Sequence, residues 1–186
     1  MADYEALKKR IMEHYGTDVS GLMDALTLCV ETNDHETNKE IRRRAHGLIV
    51  NGGGMKALDL YNRTLRFDAP VNFDCFLRYI ECQRDLDKRF YFPRRKVLLP
   101  IVQAFQDVHD GKIDLLTVSQ PKRTGKTTLG LLFVLFRAGN APFGSSICSG
   151  AGNDLVKSFY NGCLDILQKP DEYKFYDVRK SSQRLS

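Results

Sequence analysis

Apolar residues recur at helical spacing through the first half of the chain. Tyr4, Leu7, Ile11 and Met12 form one stripe, ended by Tyr15-Gly16, and Val19, Leu22, Met23, Leu26 and Val30 form a second. Residues three and four apart share a helix face, so the spacing predicts two amphipathic helices. Asn38 to Val50 predicts a third, stopped by Asn51-Gly52-Gly53-Gly54, and Met55 to Leu65 a fourth. Asp68-Ala69-Pro70 is a turn, and Asn72 caps a helix running through Phe73, Phe76, Leu77 and Ile80. The glycine triplet is a break between helices, since no Lys-Ser/Thr follows it and no strand pattern precedes it. Arg42-Arg43-Arg44 reads as one exposed helix face, with DNA contact as the functional alternative.

The pattern changes at Arg89-Phe90-Tyr91-Phe92-Pro93-Arg94-Arg95-Lys96, where aromatic and basic residues crowd together. Pro93 suits a helix start. Val97 to Val108 continues as a helix with Leu98, Ile101, Val102 and Phe105 on one face, and His109-Asp110-Gly111 turns the chain. Ile113-Asp114-Leu115-Leu116-Thr117-Val118 predicts a short buried strand. A polar loop follows, then Leu129 to Phe136, a run that predicts a core helix.

Composition narrows the class. The chain has 186 residues, 42% apolar and 27% charged, as in an ordinary globular protein and unlike a collagenous or disordered one. No apolar run approaches the roughly 20 residues that span a bilayer. Five scattered cysteines without a CxxC pair point to reduced thiols, and four dispersed histidines argue against a zinc site. The net charge of +5 is uneven: residues 1–90 hold 14 Lys/Arg against 15 Asp/Glu, whereas residues 91–186 hold 14 against 8. A basic second half suits a polyanion such as nucleotide phosphates or nucleic acid.

The loop between strand and helix is Ser119-Gln120-Pro121-Lys122-Arg123-Thr124-Gly125-Lys126-Thr127-Thr128. Strand, turn, Gly-Lys-Thr and apolar helix is the arrangement of a phosphate loop. Gly125 lets the backbone pass close to an anion, and successive N–H groups at the helix start point at it. Lys126 supplies a point charge to the β- and γ-phosphates, Thr127 a hydroxyl to Mg2+, and Thr128 a further hydroxyl near the phosphates. The standard pattern has glycine where this chain has Gln120.

That departure carries a resemblance. With Gln120, Pro121, Lys122, Arg123, Gly125, Lys126 and Thr127, the segment 113–133 resembles the deviant Walker A of phage terminase large subunits, in which the first glycine is commonly replaced and a basic residue sits inside the loop. The resemblance implies ATP and Mg2+ as cofactors, with Gln120 to Thr128 as the binding loop. It implies a catalytic contact of Arg123 with the γ-phosphate, with Lys122 as the alternative. It also places an adenine-holding role on residues 90–96, through Arg94 and Arg95 or through stacking by Tyr91 or Phe92. Phe143 to Gly150 looks like the family's second strand, Asn153 to Leu167 its next helix, and Pro170 to Tyr176 the turn beyond. Ser149 and Asn153 are candidate DNA contacts. The similarity covers about residues 88–186.

The expectation is therefore an α/β protein: a helical region over 1–88, then over 89–186 the first part of a P-loop NTPase parallel sheet. The function implied is ATP-driven packaging of double-stranded DNA into a capsid, in the cytoplasm of an infected bacterium. Portal, small terminase subunit and further copies of the chain are the partners, and no membrane is involved. A Walker B strand, its water-activating glutamate and a nuclease acid cluster are not visible, which reads as the N-terminal piece of a longer ATPase, inactive alone. The alternatives are another helicase- or translocase-type NTPase, or an interaction module with a relic phosphate loop.

Overall fold

The computed structural model describes residues 2–14, 18–82, 84–141 and 143–169. The expected stop at Tyr15-Gly16, the turn at 170–176 and the polar tail beyond it lie outside the described residues. Two compact units divide between Ala69 and Pro70.

The first unit holds α1 (Ala2–His14), α2 (Val19–Thr32), α3 (His35–Val50) and α4 (Gly54–Asp68). Local chemistry sets the helix ends. Asp18 accepts from the Gly21 N–H at 2.7 Å to start α2, and Asn33, in the left-handed region at φ 54°, ends it. Asp34 then accepts from the Thr37 N–H at 3.0 Å to start α3, so two residues stop one helix and begin the next. Leu22, Leu26, Ile41, Ala45, Ala57, Leu60 and Leu65 are buried in this unit.

Arg42, Arg43 and Arg44 do not form one exposed face. Consecutive helical positions lie about 100° apart, so three of them cannot point the same way. Arg42 turns inward to Asp68 at 2.5 Å, and Arg43 and Arg44 both bind Glu40. Asp68 also accepts from His35 Nδ1 at 2.7 Å, which joins α3 and α4 through a buried carboxylate.

A pH dependence follows from Asp34. Burial alone would raise its carboxyl, but the Lys8 ammonium and the Thr37 N–H outweigh burial and bring it down to about 2. A folded value below the ordinary 3.9 or so means that this group stabilises fully above that pH and loses its contribution as pH falls toward the folded value. The melting temperature of the wild type is expected to fall between pH 4 and pH 2. Asp34→Asn keeps a capping oxygen without the titration and should show a shallower fall. Identical slopes would show that the Lys8–Asp34 contact contributes nothing.

The second unit holds α5 (Phe73–Cys82), α6 (Arg95–His109), α7 (Lys126–Asn140) and α8 (Asn153–Leu167), with a 3-10 turn at Phe92–Arg94 leading into α6. Asn72 starts α5 by accepting from the Cys75 N–H at 2.9 Å, and Gln106 of α6 accepts from the Phe73 N–H at 2.8 Å. Phenylalanines tie three helices together. Phe73 lies 5.3 Å from both Phe133 and Phe136 of α7, and Phe105 of α6 lies 4.7 Å from Phe133, between ring centroids. On another side of α7, Leu131 packs against Gly162 of α8, where an added Cβ would come within 2.6 Å of it. The boundary at Ala69/Pro70 therefore places α5 with the later helices, upstream of the expected division at 88.

The expected α/β fold is not what forms. Among the described residues every regular element is helical and no sheet is present. Residues 113–118 and 145–149 are irregular, and Leu115 and Ile147 are 84% and 96% exposed. The reason is physical. A helix satisfies its backbone within one segment, whereas a strand needs a neighbour for every N–H and C=O. The two candidate strands do not pair with each other, and a parallel strand also needs cover on both faces. Their apolar content alone cannot hold them as a sheet.

Candidate phosphate-binding site

The loop 119–125 enters α7 through two backbone reversals. Arg123 takes φ 65° and Gly125 takes φ 95°, while Thr124 between them does not adopt positive φ. Such alternation turns successive N–H groups toward one side, as in an anion-binding nest. Among the described residues, the N–H groups of residue 123 and residues 125–128 donate to no protein acceptor, while the Thr124 N–H belongs to the turn at 122–123. The last three open the 15-residue helix α7, so the helix dipole adds to the local positive potential.

Lys126, the first residue of α7, is half-buried and folds back so that its Nζ donates to the backbone carbonyl of Gln120. The Thr124 hydroxyl approaches the Pro121 carbonyl at 2.9 Å and Gln120 Oε1 at 3.2 Å. Its single proton serves one acceptor at a time. These contacts close the loop on itself and leave those amides free. Pro121, Lys122, Arg123 and Thr127 are exposed, and Gln120 and Thr128 are half-buried. Neither Lys122 nor Arg123 makes an ion pair among the described residues, so both charges are available to a ligand.

Residues 89–95 reach the same loop through the ring of Phe90. An added Cβ on Gly125 would lie 2.0 Å from Phe90 Cε2, so the ring packs directly on that glycine. Arg94 is exposed, and its guanidinium carbon lies 5.9 Å from the centroid of the same ring. Arg94 is thus one aromatic ring away from the phosphate loop.

Arg95 is engaged elsewhere. Its guanidinium holds Asp74 of α5 at 2.8 and 2.9 Å, and the Tyr91 hydroxyl donates to Asp74 at 2.6 Å. Burial pushes the Asp74 carboxyl up, and the Arg95 and Tyr91 hydrogen bonds outweigh it, so the group sits below the ordinary carboxylate range. Tyr91 is fully buried, and burial followed by the Asp74 charge raises its phenol well above the usual value. Phe92 is half-buried and meets Arg89, whose guanidinium carbon is 5.5 Å from the ring centroid. Tyr91 and Arg95 therefore serve the packing of this segment, and Phe90 packs on the loop with Arg94 near its ring. Ser149 and Asn153 are exposed, Asn153 at the start of α8.

Glu81 is the residue that the sequence did not single out. It is 1% exposed, and its carboxylate accepts the N–H groups of Phe90, Tyr91 and Phe92 at 2.7, 2.6 and 2.8 Å. Its signal was available: Asp74, Arg78 and Glu81 stand at i, i+4 and i+7 on one face of an otherwise apolar helix. Charges on an apolar face have partners to find.

Among the described residues no group of three His, Cys, Asp or Glu side chains comes together to hold a metal, and no helix is long and apolar enough to cross a membrane. No protein-family model, curated protein or solved structure matches the chain.

Proposed function

We propose that residues 120–128 bind the phosphates of ATP and that the chain serves a terminase-type motor that packages double-stranded DNA. The observation that carries this reading is the set of undonated N–H groups at 123 and 125–128 beside an ammonium held only by a loop carbonyl. An anion with several oxygens matches that donor set better than any neutral ligand. Lys126 exchanges the Gln120 carbonyl for phosphate oxygen. Arg123 and Lys122 bring two further charges from the exposed side of the loop. The Thr127 hydroxyl suits Mg2+, an ion that commonly keeps waters and substrate phosphates as most of its ligands and needs no protein cage.

The DNA, portal, small-subunit and self-association partners rest on the resemblance of the loop to terminases, together with the basic excess after residue 90. Hydrolysis further needs a carboxylate that orients water. No described Asp or Glu hydrogen-bonds to the loop, so we assign ATP binding to this chain and turnover to the assembled motor.

Calorimetric titration tests the reading. MgATP and magnesium tripolyphosphate should both bind saturably, with affinity falling as salt rises. Absence of binding by either at millimolar concentration overturns it. Within this reading, Arg123→Ala is expected to weaken ATP roughly 10-fold while changing ADP less, because its charge faces the terminal phosphate. Lys is a poor substitute at a bidentate contact, so Arg123→Lys should restore little. Equal losses for ATP and ADP would assign Arg123 to loop shape instead, and a larger effect of Lys122→Ala would exchange the two roles.

A further inference from the structure

The ring of Phe90 is held more firmly than its exposed surroundings require. Its backbone N–H, with those of Tyr91 and Phe92, is fixed on the buried Glu81 carboxylate. One residue later Tyr91 is fixed again, by its hydroxyl on Asp74, and Arg95 grips the same carboxylate. Two acids of α5 thus set the position of a short segment that meets the loop through an aromatic ring on a glycine. The space where a Cβ of residue 125 would stand is filled, with Phe90 Cε2, Cζ and Cδ2 at 2.0, 2.7 and 3.1 Å.

Gly125 is also the residue that holds φ 95°. Glycine enters that region easily and leaves it as easily, because nothing in its own covalent structure prefers it. A loop that depends on a left-handed glycine therefore needs an outside support to keep its amides converging. The Phe90 face supplies one. We infer that Phe90 is a positioning residue for the phosphate loop: a wedge anchored on Glu81 that keeps Gly125 left-handed and the amides of residues 123 and 125–128 aimed at one point.

This inference rests on the proposed nucleotide reading and makes a statement opposite to base stacking. If the ring held the base, its loss would be felt only by ligands that carry a base. A wedge acts at the phosphate end, so its loss is felt by every polyphosphate alike. Without it, the ligand itself must order the loop, and binding bears that entropy.

The experiment compares Kd values of ATP, GTP and tripolyphosphate, each with magnesium, for wild type, Phe90→Ala and Phe90→Leu, alongside thermal melting of each protein. Phe90→Ala is expected to weaken all three ligands by the same factor, roughly 10-fold. Phe90→Leu, which keeps an apolar side chain of nearby volume on Gly125, should recover most of that loss. Melting corrects for fold damage: the ligand effect must exceed that of Val97→Ala, an exposed residue of α6, and must persist at temperatures well below the transition. Loss confined to ATP and GTP, with tripolyphosphate unchanged, overturns the wedge and leaves the phosphate site standing. Unchanged affinities for all three overturn it too. Failure of the wild type to bind any of the three overturns the nucleotide reading itself, and the wedge with it.

Discussion

Lys126→Ala should weaken ATP and tripolyphosphate binding roughly 10- to 150-fold, while the helix content and melting temperature stay nearly unchanged. The asymmetry comes from where the ammonium sits. In the free protein Lys126 Nζ bonds only the carbonyl of Gln120, at a half-buried position, so removal forfeits one hydrogen bond that water can replace. Against a triphosphate the same group is a full positive charge beside several anionic oxygens. Charge-assisted contacts are worth about 1.5–3 kcal/mol each, so losing one weakens binding roughly 10- to 150-fold. Lys126→Arg keeps the charge but not the shape, because a planar guanidinium cannot fold under the same carbonyl as a compact ammonium does. It should fall between the wild type and Lys126→Ala. Binding that survives Lys126→Ala within threefold would move the anion site away from this loop.

The first helices were legible because apolar periodicity marks the face that packs: in the stripe Val19, Leu22, Met23, Leu26 and Val30 of α2, Leu22 and Leu26 are buried, while Val30 near the helix end is 52% exposed. Asn153–Leu167, expected from the resemblance of the segment and not from its periodicity, forms α8. Other ends shifted by a few residues, since capping side chains set them: Asp34 starts α3 at His35, three residues before the apolar pattern does. The segment 113–118 misled for a different reason. A short apolar run states what a segment would bury, and not whether a partner exists to cover it. At the candidate site, the turn into α7 at Gly125 was legible, because a glycine just before a helix start is a local feature of sequence, and Gly125 takes φ 95° there. The contact of Phe90 with Gly125 was hidden beside Tyr91 and Phe92, since three adjacent aromatic residues are equivalent in sequence until the backbone turns them in different directions. The charged face of Glu81 and Asp74 was visible in the sequence, but apart from Arg78 their partners lie nine to 21 residues away along the chain, so what those acids hold was not.

Those two acids make the largest stability prediction. Glu81→Leu is expected to lower the melting temperature of the unit that contains α5 by more than 10 °C, by roughly 4–8 °C per kcal/mol lost in a domain of this size. The Glu81 carboxylate is 1% exposed and satisfies three backbone N–H groups at once. Leucine has similar bulk and no acceptor, so it strands those three donors. Each buried, unpaired N–H costs about 1–3 kcal/mol, and the sum exceeds what leucine gains by burying apolar surface. Glu81→Gln separates charge from hydrogen bonding. Its amide oxygen can still accept from Phe90 and Tyr91, but its NH2 then meets the Phe92 N–H, donor against donor, so an intermediate loss is expected. Asp85→Leu is the control, for Asp85 is an exposed acid of the same unit that pairs with Lys88 at the surface, a solvent-screened contact that contributes little. The two effects of Glu81→Leu should also travel together. A segment released from α5 no longer presses Phe90 on Gly125, so polyphosphate affinity should fall at temperatures where the variant remains folded. A Glu81→Leu protein that melts within 2 °C of the wild type would mean that the three N–H groups find other partners, and that the acid does not hold this segment.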